Sequence, residues 1–142
     1  MRIALGSDQA TELTASLEEV LRERGYAVSL HGALNPSEPN AWPMVGRLIG
    51  EAVASGEFNY GIVCCWTGTG VSMAANKVPG VRAALCCDPE TAAGARKWND
   101  ANVLAFSLRN TSPSVAEEIL DAWFSSQPTD DPQDRAMIED LE

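Results

Sequence analysis

A chain of 142 residues, 45% hydrophobic and 21% charged, is long enough for one domain with a full core and too short for two of ordinary size. Its 20 acidic against 10 basic residues leave a net charge of −10, which argues against a nucleic-acid backbone or an anionic membrane as partner and agrees with plain solubility. No apolar run is long enough to span a bilayer, and Met1-Arg2-Ile3-Ala4-Leu5-Gly6 meets Ser7-Asp8 before a signal-peptide core develops, so a cytoplasmic protein is expected.

Arg2 to Ser7 reads as a short buried strand ending in Gly-Ser-Asp. Thr11 to Arg24 follows as a helix with Leu13, Leu17, Val20 and Leu21 on one face, and Gly25 stops it. Tyr26 to Leu30 gives a second strand. His31 to Pro43 is a Pro- and Asn-containing loop of a length that often marks a functional loop or lid. Trp42 to Ser55 is a helix with Val45, Leu48, Ile49, Ala52 and Val53 inward, and Asn59 to Cys64 is the third strand.

A Gly-rich turn then leads into a helix that runs to about Lys77, before Pro79-Gly80. Val81 to Cys86 is the fourth strand, and Asp88 and Pro89 are the N-cap and first residue of a helix to about Trp98. Asn102 to Phe106 is the fifth strand. Ser112-Pro113 opens a helix through Phe124, with Val115, Ile119, Leu120 and Trp123 on its buried stripe. After a polar break from Ser125 to Pro132, Gln133 to Leu141 reads as a short acidic helix. The expected organisation is one domain over 1–126, followed by a linker and a terminal helix over 127–142. That helix has little to bury alone and is expected to pack on a second subunit.

Strand and helix alternate throughout, the pattern of an α/β fold with a five-stranded parallel sheet covered on both faces. Ligands of such folds sit beyond the carboxyl ends of the strands, where Asp8, the Cys65–Gly70 turn, the segment before Pro89 and Arg109 all fall.

Among these, Tyr60 to Lys77 carries the chemistry. A buried strand delivers a thiol to a glycine-rich turn at a helix amino terminus, where backbone N–H groups converge and a thiolate is favoured electrostatically. Gly68 and Gly70 let the backbone approach a ligand and stabilise a developing oxyanion. Strand alternation sends Cys64 and Cys65 to opposite sides, so at most one of them faces the turn, and Cys65 is the candidate. The competing reading makes both cysteines small buried hydrophobes. The turn matches neither the dinucleotide fingerprint nor the Walker loop, which sets nucleotide binding aside. Two adjacent pairs, Cys64-Cys65 and Cys86-Cys87, with His31 as the only histidine, make a zinc site improbable and suit reduced thiols.

Gly6-Ser7-Asp8, Cys65-x-Thr67-Gly68-x-Gly70, Ala74-Ala75-Asn76-Lys77-Val78-Pro79-Gly80 and Asn99-Asp100-Ala101-Asn102-Val103-Leu104 arrive in this order. Together, over Met1 to about Phe124, they resemble the ribose-5-phosphate isomerase B and galactose-6-phosphate isomerase family. The resemblance implies a Rossmann-like three-layer sandwich and a homodimer, sometimes paired into tetramers, with active sites between subunits and no metal, nucleotide or other cofactor. It implies aldose–ketose interconversion through a cis-enediolate. On it, Cys65 looks like the base that moves a proton between C1 and C2, and Asp8 like a ligand for sugar hydroxyls. Thr67, Gly68 and Gly70 look like the loop holding the enediolate oxygen, Thr67 with a catalytic part and Thr69 in contact with substrate. Asn99 matches an active-site asparagine and Arg109 a phosphate-contacting arginine.

The chain departs from that pattern in four places. Gln9 and Trp98 stand where the family commonly has histidines, so the usual ring-opening acid is missing; Gln9 still offers hydrogen bonds to a hydroxyl, but neither side chain exchanges protons near neutral pH. Asp131-Pro132-Gln133-Asp134-Arg135 keeps only Arg135 of the usual basic tail. Trp66 replaces a glycine and offers a wall for a sugar face. These changes favour a substrate that needs no acid-assisted ring opening, such as a tetrose or tetrulose 4-phosphate or a free sugar. The alternative from another class is a sugar-binding or regulatory protein that kept the fold and lost the reaction; a thiol redox role for the vicinal cysteines ranks below both.

Overall fold

In the computed structural model, which describes residues Met1–Glu142, the alternating periodicities become β1 (Arg2–Ser7), α1 (Glu12–Glu23), β2 (Ala27–Gly32), α2 (Trp42–Ala54), β3 (Tyr60–Cys65), α3 (Thr69–Asn76), β4 (Ala83–Leu85), α4 (Pro89–Asn99), β5 (Val103–Ser107), α5 (Pro113–Ser125) and α6 (Pro132–Leu141). The five strands form one sheet in the order β2-β1-β3-β5-β4, and every pairing is parallel. Helix starts follow local chemistry. Thr11 closes a capping box with Thr14, and Asp88 and Ser112 cap α4 and α5 ahead of a proline.

Three strands run further than their apolar cores suggest, to Gly32, Cys65 and Ser107, because the parallel registers Ser7↔Gly32 and Cys65↔Ser107 continue the pairing past the last large side chain. The edge strand β4 is shorter than the expected Val81–Cys86. At its start, side chains replace the ladder: Arg82 N–H donates to Asn102 Oδ1 at 2.8 Å and Ala83 N–H to Asn76 Oδ1 at 2.7 Å.

Alternation along the strands builds two cores. Ile3, Leu5, Ile62, Cys64, Leu104 and Phe106 face α1, α4 and α5, where Leu17, Ile119, Leu120 and Trp123 close the layer. Ala4, Val63, Cys65, Val103 and Ala105 face the other way, under Val45, Ile49 and Val53 of α2 and Val71 and Ala75 of α3. Each large aliphatic or aromatic side chain so buried contributes about 1.5–3 kcal/mol. The second layer is thin because α2 and α3 touch through small residues: a Cβ on Gly46 would lie 2.7 Å from Ala74 Cβ. Helix α6 has no buried residue. It lies beside the end of α4, where Thr129 N–H donates to Lys97 O at 2.9 Å and Glu142 pairs with Arg82.

Candidate active site

In the sheet order, β1 connects outward to β2 on one side while β3 leads to β4 and β5 on the other, so a crevice opens beyond the carboxyl ends of β1 and β3. Cys65 ends β3, and Asp8 follows directly on β1. Asp8 N–H donates to Cys64 O at 3.3 Å, which ties the two ends together. The adjacent cysteines part as the pleat requires. Cys64 points into the α1/α5 core, where burial pushes its thiol up, assisted by Cys65 and Asp8. Cys65 points to the α2/α3 side and, at 5% exposure, forms part of the pocket wall.

Beyond Cys65 the chain makes the glycine-rich turn. Gly68 is the N-cap of α3 at φ 76°, a left-handed backbone, and a Cβ there would sit 2.5 Å from Leu85 Cδ1 and 2.9 Å from the Phe106 carbonyl. No side chain caps α3, so its first-turn N–H groups remain for a ligand. Thr67 Oγ1 and Thr69 Oγ1 are hydrogen-bonded at 2.7 Å across the turn. From the neighbouring strand, Leu108 N–H donates to Cys65 O at 2.9 Å, Arg109 N–H to Trp66 O at 3.0 Å and Ser107 Oγ to the same carbonyl at 3.0 Å. The turn is thus held from below by β5.

Asp8, Cys65, Trp66, Thr67, Thr69 and Gly70 line one pocket of about 270 Å³, joined by Trp42. Oδ1 of Asp8 is buried without a partner, and desolvation raises the carboxyl above the usual carboxylate range against a weaker backbone hydrogen bond. The pocket therefore combines a thiol, an unsatisfied carboxylate oxygen and an uncapped helix terminus. No three His, Cys, Asp or Glu side chains gather anywhere to hold a metal.

Trp42 is the residue the sequence did not reveal. It is the first residue of α2, on the same helical stripe as Val45, Ile49 and Val53, and it covers Gly70. A tryptophan opening a helix that has no side-chain cap, immediately after a long Pro- and Asn-containing loop, was the available signal.

The other expected residues are spread over two ends of the sheet. Gln9 is exposed beside Asp8, its carbonyl accepting from Ser7 Oγ at 2.6 Å, and Arg109 is exposed next to the turn; neither lines the pocket. Trp98 and Asn99 finish α4, which runs against the strands, and so lie toward their amino ends. Arg96, buried between the Tyr60 and Trp123 rings, fixes that corner by donating to Ala101 O at 2.6 Å and to Asp100, whose φ of 46° turns the chain. Arg135 of α6 lies near Asp100 in a separate groove of about 210 Å³. A single chain does not bring Asn99 or Arg135 to Cys65.

Comparison with known proteins gives a consistent family. The ribose/galactose isomerase family model matches residues 3–140. Ribose-5-phosphate isomerase B of Escherichia coli is 40% identical over 127 residues, covering 89% of this chain and 85% of the relative. D-erythrulose-4-phosphate isomerase of Pectobacterium atrosepticum is 35% identical over 128 residues, with 89% and 84% covered. The structure of Clostridium thermocellum ribose-5-phosphate isomerase B superposes with a TM-score of 0.90 at 36% identity, covering 99% of this chain and 95% of that one.

Proposed function

The chain belongs to the ribose/galactose isomerase family, and from that premise we propose that it interconverts a small aldose and ketose, as their phosphates, with Cys65 as the base. The observation that carries this reading is the single pocket in which Cys65, the uncapped start of α3 and the unpartnered oxygen of Asp8 meet. The Cys65 thiolate takes the proton from the carbon next to the carbonyl, and the electron pair forms a cis-enediolate. The oxyanion rests on the N–H groups of the Gly68–Gly70 turn, beside Thr67 and Thr69. The thiol then returns the proton to the neighbouring carbon while a hydroxyl proton crosses between the two oxygens. Asp8 holds the sugar hydroxyls, with Gln9 beside it, and Trp66 offers a face to the carbon chain.

The substrate enters open-chain. No histidine lines the pocket, and His31 is engaged with Glu38 at 3.0 Å. A tetrose or tetrulose 4-phosphate meets this condition, because its ester occupies the hydroxyl that would close a ring; the erythrulose-phosphate isomerase of Pectobacterium supports that choice.

Asn99, Trp98 and Arg135 act on the site of a second copy, since they stand at the far end of their own sheet. Exposed Met73, Trp98, Met137 and Leu141 supply apolar surface for such a homodimer, itself able to pair into a tetramer. Four unpaired cysteines suit a cytoplasmic setting.

The test is turnover of erythrulose 4-phosphate and ribose 5-phosphate by the parent and Cys65→Ala. The parent is expected to prefer the four-carbon phosphate, with kcat about 10²–10⁴-fold lower in the variant. Full activity in Cys65→Ala would remove the thiol from the mechanism.

A further inference from the structure

The glycines of α2 form a track for α3. A Cβ on Gly50 would lie 3.3 Å from Ala75 O and one on Gly46 would lie 2.7 Å from Val71 O, so the two helices run side by side at backbone contact. Trp42 is the next residue along this same stripe. Held at that spacing, its indole has no room between the helices and lies on the backbone of Gly70, where a Cβ would meet Cε3 at 2.8 Å, Cδ2 at 3.0 Å and Cζ3 at 3.2 Å.

The loop that delivers Trp42 is pinned just before it. The Glu38 carboxylate accepts from Gly32 N–H at 2.9 Å and Asn35 Nδ2 at 3.2 Å and meets His31 Nδ1 at 3.0 Å. Yet Trp42 is 44% exposed, and on the same pocket Trp66 is 55% exposed. Two large apolar faces kept in solvent around a thiol and a polar turn are a binding surface rather than core.

We propose that Trp42 is the specificity-determining residue of the pocket, its indole over Gly70 forming the end wall that admits a four-carbon sugar phosphate and rejects a five-carbon one. This rests on the isomerase reading above. The reacting carbons must lie between Cys65 and the first turn of α3, and Trp42 occupies the space immediately beyond that turn. The wall is set by helix spacing, not by a mobile loop. Length selection is therefore built into the Gly46–Ala74 and Gly50–Ala75 contacts.

The experiment measures binding of two unreactive acids whose carboxylate stands in for the enediolate, 3-phospho-D-glycerate for the four-carbon sugar and 4-phospho-D-erythronate for the five-carbon one, by calorimetry on the parent, Trp42→Ala and Trp42→Phe, alongside turnover of erythrulose 4-phosphate and ribose 5-phosphate. The parent is expected to prefer the shorter acid, 3-phospho-D-glycerate, by about tenfold or more, the scale set by one carbon in a shaped pocket. Trp42→Ala brings the ratio toward unity and Trp42→Phe falls between. Equal binding of the two acids by the parent, or a ratio that Trp42→Ala leaves unchanged, overturns the proposal. The binding ratio is independent of chemistry: a parent that discriminates between the acids but turns over neither sugar would sink Cys65 catalysis and leave the length filter standing.

Discussion

Asp8 shows most plainly how function constrains a residue here. Its carboxyl is desolvated at a strand end with Oδ1 unpartnered, so the fold favours the protonated form relative to the unfolded chain. The folded protein binds this proton more tightly, and the stability contribution of the group therefore falls as pH rises from the ordinary value of 3.8 through the raised one. Asp8→Asn is expected to melt at a higher temperature than the parent at pH 7, with an advantage that shrinks as pH falls toward 3.8. The same change should cost about 10- to 100-fold in kcat/KM, the worth of a charged hydrogen bond to substrate. Calorimetric scans between pH 4 and 8 check the first half; a variant no more stable than the parent at pH 7 would mean that Asp8 is not held at a cost. The carboxylate and thiol were both legible in the sequence, since Gly-Ser-Asp and the Cys-containing turn end apolar runs. The pleat allowed only one of the two cysteines to face the site, and Cys65 is the one that lines the pocket.

At the scale of elements, the turn between β3 and α3 is over-determined. Gly68 must adopt φ 76° and must also lack a side chain, because Leu85 and the Phe106 carbonyl fill the space. Gly25 separates the two demands. It has φ 83° and open space within 4 Å of where a Cβ would stand, so Gly25→Ala introduces backbone strain alone. Gly25→Ala is expected to lose about 1–2 kcal/mol and Gly68→Ala about 2–4 kcal/mol, measured from urea midpoints. Equal losses would show that the turn is not packed against β5. Strand and helix order could be read directly from periodicity, with errors confined to ends. Those ends were hidden because pairing to a neighbour, not local hydrophobicity, decides where a parallel strand stops. Trp42 was hidden for a related reason: a stripe position reports the face of a helix but not whether the sheet extends beneath it.

For the whole molecule, the distance between the two ends of the sheet decides how the site is completed. Asn99 and Arg135 lie toward the amino ends of the strands and Cys65 at the carboxyl ends, so the reading proposed above has a second copy complete the site. Cys65→Ala and Asn99→Ala, each weakly active alone, should then complement when refolded together. Random pairing makes half the dimers hybrids, each with one intact site, and activity of about one quarter of the parent is expected. A mixture no more active than its components would place Asn99 outside the neighbouring site. The motif around Asn99 was legible, but its distance from Cys65 was not, because spacing along the chain does not say at which end of the sheet a helix finishes.

The most direct test of Cys65 as the base is proton NMR in D2O of the protein with erythrulose 4-phosphate, beside Cys65→Ala. Abstraction and return of a carbon-bound proton through an enediolate predicts deuterium at the carbon next to the carbonyl with the parent and none above background with the variant. Deuterium entering equally with Cys65→Ala, or product forming without Cys65, would contradict the assignment of the base and with it the reading of the pocket.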